Sequence, residues 1–340
     1  MCGIAGILDP QLTLSDTDRR LAALQSALKH RGPDDRGAWS SPCGVAHFAH
    51  TRLSILDLSA AGHQPMGLPG GRFTIAFNGE IYNFKELRSE FEKDRVPFQT
   101  GTDTEVLLRL YERHGQGMLD KLRGMFSFAI WDEHEQTCFL ARDPLGIKPL
   151  YYSNQGGVFA FASEVRALQK AGFGSSETDA MALLSYFESG SVAEPRTLVQ
   201  GIRCLEAGHC LEWRQGVIEN NAWWNIRFPV AGDSSKKPSA TLREALLEST
   251  RRHFVSDVPV GIFLSGGVDS TALVALAREI GIKDISTFSI GVDDPGLDES
   301  SVARRTAKHF GTDHHELRLG DEEGKKRFGE FIQHIDQPSI

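Results

Sequence analysis

The chain has 340 residues, 40% hydrophobic and 24% charged, the composition of a soluble globular protein with room for two domains and two cores. Its net charge of −8 leaves no basic excess to neutralise phosphates, so nucleic acid is not an expected partner. No apolar run is long enough to span a bilayer, no basic leader precedes an apolar segment, and Cys2, Cys43, Cys138, Cys204 and Cys210 are scattered without a C-x-x-C pair; the expected setting is a reducing cytoplasm, away from membranes.

The chain opens on Met1-Cys2-Gly3-Ile4. Removal of Met1 would leave Cys2 at the N-terminus, with a thiol and an α-amine on one Cα. That amine has a reference pKa of roughly 7.7–8.0, so it can accept a proton near neutral pH and act as the base for its own nucleophile. Taken alone, the blander reading is the better one: Cys2 merely follows the start codon. The motifs that come later reverse this.

Short apolar runs follow at Gly3 to Leu8, Val45 to His50, Phe73 to Phe77, Met125 to Trp131, Thr137 to Ala141 and Val158 to Ala162. Separated by Gly, Pro, Asn or Asp, they predict a largely antiparallel sheet. Two helices are expected among them. One begins near Ser15, presents Leu21, Leu24 and Leu28 on one face, and stops at His30-Arg31-Gly32-Pro33. The other starts at Asp103 or Thr104, buries Val106, Leu107 and Leu110, and ends at Gly115. Without β-α-β alternation this is a layered α+β domain.

Polar clusters punctuate these elements. Arg52, after a strand, offers a guanidinium suited to a carboxylate. Asn78 and Gly79 offer a side-chain amide and an unobstructed backbone N–H, the pair an oxyanion hole needs. Asp103 could hold an ammonium. With a thiolate these groups describe a site for a free amino acid carrying a side-chain carbonyl, and glutamine is the natural candidate. Each has an ordinary alternative: a surface ion pair for Arg52, a hairpin turn for Asn78-Gly79, a helix N-cap for Asp103.

Met1 to Ile4, Arg31-Gly32-Pro33-Asp34, Arg52-Leu53-Ser54-Ile55, Asn78 to Asn83 and Arg142 to Tyr152 together resemble the glutaminase domain of glutamine-dependent asparagine synthetases, from Met1 to about Gly216. The resemblance implies an α+β N-terminal-nucleophile sandwich, antiparallel sheets between helices, with Cys2 as nucleophile. It further implies that Arg52 and Asp103 hold the glutamine carboxylate and amine, and that Asn78 and Gly79 line the oxyanion hole. No catalytic role follows for Arg142 to Tyr152, which reads as a turn and strand packing against the second domain.

Leu198 to Trp213 is expected to form paired strands around Ala207-Gly208, and Trp223-Trp224 to serve interdomain packing. Domain limits are drawn at 1–216, a linker at 217–239 and a second domain at 240–340; Arg227 to Ser239 is rich in Pro, Gly, Ser and Lys. From Ala240 the pattern alternates. A helix carries Leu242, Leu246 and Leu247; an apolar strand runs from Val260 to Leu264; a helix spans Thr271 to Ile280. A strand from Ile285 to Ile290 and a helix from Glu299 to Phe310 follow. This predicts the start of an α/β doubly wound nucleotide-binding domain.

Between the first strand and helix lies Ser265-Gly266-Gly267-Val268-Asp269-Ser270. Its glycines are expected to allow positive φ and close approach, with N–H groups and a helix N-terminus facing an anion. Asp269 beside phosphates is repulsive unless it holds Mg²⁺. The hexapeptide resembles the pyrophosphate loop of N-type ATP pyrophosphatases, which implies ATP contacts at Leu264, Ser265, Gly266, Gly267, Asp269, Ser270 and Ile290, with Asp269 on the metal and Ile290 beside the adenine. His314-His315, being adjacent, does not read as a metal site, and Asp321 to Arg327 reads as a solvated helix face. The later Ser-Gly-Glu-Gly-x-Asp-Glu motif of family members has no match here, so the second domain reads as incomplete, a fragment or an incomplete gene model.

The resemblance therefore implies a ligase that uses glutamine, aspartate and ATP-Mg²⁺ to make asparagine, and it allows a homodimer. Two alternatives stay open: an amidotransferase of the same architecture for another carboxylate acceptor, and a glutaminase carrying an inert nucleotide-binding module.

Overall fold

A computed structural model describes residues 1–9, 11, 14–228 and 238–338. The chain divides into two compact units, Met1–Arg227 with Asp336–Ile340, and Phe228–Ile335.

The first unit runs β1 (Gly3–Leu8), α1 (Leu14–Ala27), β2 (Asp35–Ser40), β3 (Ala46–Arg52), β4 (Met66–Gly67), β5 (Phe73–Ile81), α2 (Phe84–Lys93) and α3 (Asp103–His114). It continues with β6 (Gly124–Asp132), β7 (Thr137–Arg142), β8 (Tyr151–Gln155), β9 (Val158–Ala162), α4 (Val165–Lys170), α5 (Ala180–Ser189), β10 (Arg203–Cys204), β11 (His209–Arg214) and β12 (Val217–Ala222). The strands form two sheets, ordered β10-β8-β9-β1-β3-β2 and β12-β11-β7-β6-β5-β4, and neighbours pair antiparallel.

β1 shows why so apolar a hexapeptide is needed at the start. It is buried along its whole length. Ile4 and Leu8 enter the core between the sheets with Phe48, Phe159, Phe161, Trp131 and Trp213. Ala5 and Ile7 face the other way, against Leu24, Leu28, Val165 and Leu168 of the helical layer. Each large side chain so buried contributes about 1.5–3 kcal/mol of transfer free energy. On the second sheet, α3 packs over β5, and its Tyr111 meets Phe73 and Phe139.

The structure departs from the sequence reading at several points. α2, α4 and α5 are helices that the reading did not expect. β10 and β11 do not pair with each other: β10 pairs β8, while β11 lies between β7 and β12. Val217–Ala222, assigned to the linker, is a strand of the second sheet, because its alternation with β11 continues past the turn at Gln215-Gly216. Positions 229–237 of that expected linker lie outside the described residues. Trp223 packs within this unit, stacking on Phe126 and donating Nε1–H to the Arg142 carbonyl at 3.2 Å. Tyr151 and Tyr152 belong to the first sheet through β8. Asp336, placed by sequence in the second domain, accepts the Val165 and Arg166 amides at the start of α4.

The second unit contains α6 (Pro238–His253), β13 (Gly261–Phe263), α7 (Val268–Glu279), β14 (Ser286–Val292), α8 (Ser300–Phe310), β15 (Asp313–Leu319) and α9 (Asp321–His334). β13, β14 and β15 are parallel and adjacent in chain order. One face buries Ile262 against Val274, Ala277, Ala303 and Ala307. On the other, Phe263, Phe288 and His315 stand in register and are exposed, as are Ile290 and Leu317.

Candidate active site

Cys2 sits one residue before β1, in a sheet position that its neighbours fix. The Ile4 N–H donates to Ser163 Oγ at 3.0 Å, the Ser163 N–H returns to the Ile4 carbonyl at 2.9 Å, and Arg31 Nε donates to the Cys2 carbonyl at 2.9 Å. The thiol lies against Leu53, whose backbone N–H donates to Sγ at 3.4 Å while Sγ donates to its carbonyl at 3.7 Å. Burial pushes the Cys2 thiol up, outweighing the Leu53 hydrogen bond and the N-terminal amine that pull it down. The chain's N-terminal amine, on Met1, is itself pulled down by burial, with Arg31 and Lys148 acting the same way against the Cys2 thiolate.

Arg52 ends β3 and is only 6% exposed. Its guanidinium is held by carbonyls: Nη1 donates to Ser59 at 2.9 Å, and Nη2 to Leu56 at 3.1 Å and Asp57 at 2.5 Å. Among the described residues no carboxylate forms an ion pair with it, which removes the surface ion-pair alternative. Gly62 exists for this side chain, since a Cβ there would fall 1.9 Å from Nη2.

Asn78 and Gly79 lie inside β5, paired with Ser127 and Phe126, and are therefore not a hairpin turn. Asn78 is 1% exposed and its Nδ2 has no hydrogen-bond partner. A buried amide donor left unmade is costly, so this one is poised for a ligand acceptor. A Cβ at Gly79 would fall 2.3 Å from the Met125 carbonyl, so no other residue fits.

Asp103 opens α3, but the N-cap is Thr102, whose Oγ1 accepts the Glu105 N–H at 3.3 Å. Glu105 accepts the Gln99 and Thr100 amides and so fastens the segment before the helix to its first turn. Asp103 is thus spared capping; its Oδ2 accepts the Ile81 N–H at 2.9 Å. Burial raises its pKa to about 7, overriding the Ile81 hydrogen bond that lowers it, with Glu80 adding to the rise.

Cys2, Arg52, Asn78, Gly79 and Asp103 line one cavity of about 290 Å³. The same cavity takes in Gln64, Glu80 and Lys148, to which the sequence reading gave no role. Gln64 secures β5 by accepting the Phe77 N–H at 2.8 Å, and nothing in its local sequence signals this. Glu80 and Lys148 lay inside quoted motifs, so their position was signalled although their contact was not.

In the second unit, Leu264, Ser265 and Ile290 line a cavity of about 350 Å³ with Phe263, Phe288, Ser289 and Glu299. Gly266, Gly267, Asp269 and Ser270 are not part of that lining; they form the loop beside it. Neither glycine has positive φ, contrary to expectation. Crowding explains them instead: a Cβ at Gly266 would be 3.2 Å from that of Glu299, and one at Gly267 3.2 Å from Ser265 Oγ. Ser270 Oγ and Ser265 Oγ are 3.0 Å apart, and Gly266 N–H donates to Glu299 Oε2 at 2.8 Å. Asp269 is exposed in the first turn of α7. Of the paired histidines, His314 contacts Thr287 and Ser289, while His315 stacks on Phe288. No group of three His, Cys, Asp or Glu able to hold a metal occurs among the described residues, and no helix there is long and apolar enough to cross a membrane.

Two antiparallel sheets between helices, with a cysteine at the head of the central strand and an amino-acid-sized cavity around it that carries charged and amide side chains, define the class of N-terminal-nucleophile amidotransferases. Residues 1–224 match the glutamine amidotransferase domain family and residues 241–340 the asparagine synthase family. The chain belongs to the family of glutamine-hydrolysing asparagine synthetases. It is 36% identical to glutamine-hydrolysing asparagine synthetase 1 of Bacillus subtilis (strain 168) over 99% of this chain and 53% of that one. It is 33% identical to asparagine synthetase B of Escherichia coli (strain K12), over 99% and 57%, and 32% identical to a putative asparagine synthetase of Methanocaldococcus jannaschii, over 99% and 68%. The chain thus spans little more than half the length of the first two. Among solved structures it resembles, in fold alone, the allosteric regulatory enzyme of purine biosynthesis (TM-score 0.52, 17% identity, 93% of this chain and 80% of that one). It likewise resembles glutamine phosphoribosylpyrophosphate amidotransferase from B. subtilis (TM-score 0.51, 16% identity, 99% and 94%).

Proposed function

We propose that the first unit hydrolyses glutamine and that its ammonia serves the ATP-dependent conversion of aspartate to asparagine, as the names of the relatives suggest. The observation that carries the first half is the set of groups in one cavity: a guanidinium at Arg52 held by carbonyls and, among the described residues, by no carboxylate, a buried carboxylate at Asp103, a donor without acceptor at Asn78, and a thiol among them. Glutamine satisfies all four. Its α-carboxylate meets Arg52, its α-ammonium Asp103, and its side-chain amide the thiol.

With Met1 removed, the Cys2 α-amine takes the thiol proton as sulfur attacks the amide carbon. The oxygen, now an anion, accepts from Asn78 Nδ2 and the Gly79 N–H; one such donor is worth roughly 3–4 kcal/mol in the transition state. The amine returns the proton to the leaving nitrogen, ammonia departs, and water hydrolyses the thioester to glutamate.

In the second unit, the cavity at Leu264, Ser265 and Ile290 is read as the nucleoside subsite, and the loop from Ser265 to Ser270 as the pyrophosphate subsite at the α7 N-terminus. The exposed Asp269 carboxylate, with no metal-sized cluster of acidic or histidine side chains among the described residues, fits Mg²⁺ that arrives on the nucleotide phosphates better than a protein-built metal cage. Aspartate adenylated at its side chain would be the acceptor, with AMP leaving as ammonia attacks.

The test is to incubate the processed protein with glutamine, aspartate and ATP-Mg²⁺ and to measure glutamate, AMP and asparagine together. Glutamate that disappears in Cys2→Ala and persists in Cys43→Ala supports the glutaminase. Amidation of a panel of other carboxylates in place of aspartate would correct the acceptor.

A further inference from the structure

The loop between β7 and β8 delivers one charged side chain into the glutamine cavity. Asp143, 1% exposed, gathers the loop: Oδ1 accepts the Leu145 and Ile147 amides at 3.1 and 3.0 Å, and Oδ2 the Lys148 and Phe126 amides at 2.9 and 3.2 Å. Arg142 holds the other side, donating Nε–H to the Lys148 carbonyl at 3.1 Å and Nη2–H to that of Gly146 at 2.7 Å. Both backbone polar groups of Lys148 are therefore clamped, and Gly146 makes the turn with φ of +66°.

So much fixing serves a side chain that the protein itself leaves unmet. Lys148 is 6% exposed and lines the cavity, yet among the described residues its Nζ makes no hydrogen bond and no ion pair. An ammonium is not buried without a partner unless the partner comes and goes. Burial pulls its pKa below the usual lysine value, with Arg31 from the turn after α1 acting the same way, against Glu80 from β5, Cys2 and Asp143 from its own loop, which raise it. Lys148 in turn lowers the pKa of the N-terminal amine. It thus shares one cavity with the Cys2 thiol, Asn78 and Gly79.

We propose that the Lys148 ammonium stabilises the negative charge that develops at the Cys2 sulfur and the attacked carbonyl, with Arg142 and Asp143 as the residues that position it. This rests on the glutaminase reading. The partner that comes and goes is the anion itself: the thiolate as it forms, then the oxyanion. Without Lys148 the cavity would hold Glu80 and Asp103 near the forming thiolate with Arg52 as the one cationic side chain among its lining residues.

The test uses the processed full chain with Lys148→Met, which keeps the length and apolar stem but removes the charge, and Lys148→Arg, which keeps the charge. Iodoacetamide alkylation of Cys2 is followed from pH 6 to 10 without glutamine, and glutaminase kcat and KM are measured separately. In Lys148→Met the alkylation midpoint should rise by about one pH unit and kcat fall about tenfold or more, with KM little changed. Lys148→Arg should restore the midpoint. An unchanged midpoint in Lys148→Met, or a loss confined to KM, overturns the proposal. The alkylation arm needs no turnover, so a failure of the glutaminase reading would show as absent glutamate release in the wild type and leave the Lys148 result standing. Unchanged unfolding midpoints in both variants exclude misfolding as the cause.

Discussion

The imidazole of His50 on β3 reaches across the sandwich to the backbone carbonyl of Phe77 on β5, 3.0 Å from its Nε2. A carbonyl can only accept, so Nε2 carries the proton. The bond ties the sheet that carries Cys2 to the strand that carries Asn78, one residue beyond Phe77.

That contact predicts an acid-sensitive fold. Burial lowers the His50 pKa to about 4, against the Phe77 hydrogen bond that raises it. Below the unfolded value near 6.5 the unfolded chain takes up a proton that the folded one refuses. Stability therefore falls as pH drops from 6.5 to 4, by up to about 3 kcal/mol. Urea unfolding at a series of pH values should show this slope in the wild type and lose it in His50→Gln. An equal slope in both would assign the acid sensitivity elsewhere.

Asp103 predicts the opposite dependence. Its carboxyl is raised to about 7, so the folded state prefers the proton, and stability falls as pH rises from about 4 to 7. Asp103→Asn should stabilise the protein at pH 8 by roughly 2–4 kcal/mol. The same change should cripple glutamine binding. In the wild type, KM for glutamine should rise as pH falls below 7, because the protonated acid no longer attracts an ammonium. A KM flat between pH 5.5 and 8 would show that Asp103 does not hold the amine.

Recognition and chemistry should separate by residue. Arg52→Ala removes binding to a part of glutamine that does not react, so KM rises with kcat largely kept. Gly62→Ala should do the same indirectly, because its Cβ displaces the guanidinium. Asn78→Ala should lower kcat by about 10²–10³ with KM nearly unchanged. Steady-state glutaminase kinetics on the three variants decide the matter, and a pure KM effect in Asn78→Ala would remove it from the oxyanion hole.

The parts of this architecture legible in the sequence are those written in local pattern. β1 and β9 could be read to within a residue, since strands buried on both faces are continuously apolar. α3 is read as starting at Asp103 or Thr104 and ending at Gly115, whose φ of +54° stops it. What escaped depends on distant partners. β2, exposed on alternate residues, is a strand because β3 pairs with it, and β15 is one because β14 does. Arg142 to Tyr152 looked inert because its function is to clamp a loop: the contacts of Arg142 with Leu205, Glu194 and Cys204 lie more than fifty residues away. Cys2 itself was legible only through the company of Arg52, Asn78 and Asp103.

The last prediction concerns the loop at the start of α7. Glu299 Oε2 accepts the Gly266 N–H at 2.8 Å, so a carboxylate occupies a donor that a pyrophosphate would use. Phosphate oxygens and this carboxylate are both negative and compete for the same amide. If the loop is a phosphate subsite, Glu299→Gln should keep the fold, relieve the repulsion and tighten pyrophosphate binding several-fold, on the order of 1 kcal/mol. Ser265→Ala should loosen it, since it removes a hydroxyl, now 3.0 Å from Ser270 Oγ, that can donate to a phosphate oxygen. Calorimetric titration with pyrophosphate and with ATP-Mg²⁺ separates the terms. Tighter pyrophosphate binding in Glu299→Gln with unchanged ATP-Mg²⁺ binding would mean that a metal ion masks the repulsion. Weaker binding of both would mean that Glu299 holds the ligand or its metal, and that the loop amide is not a phosphate donor in the bound state.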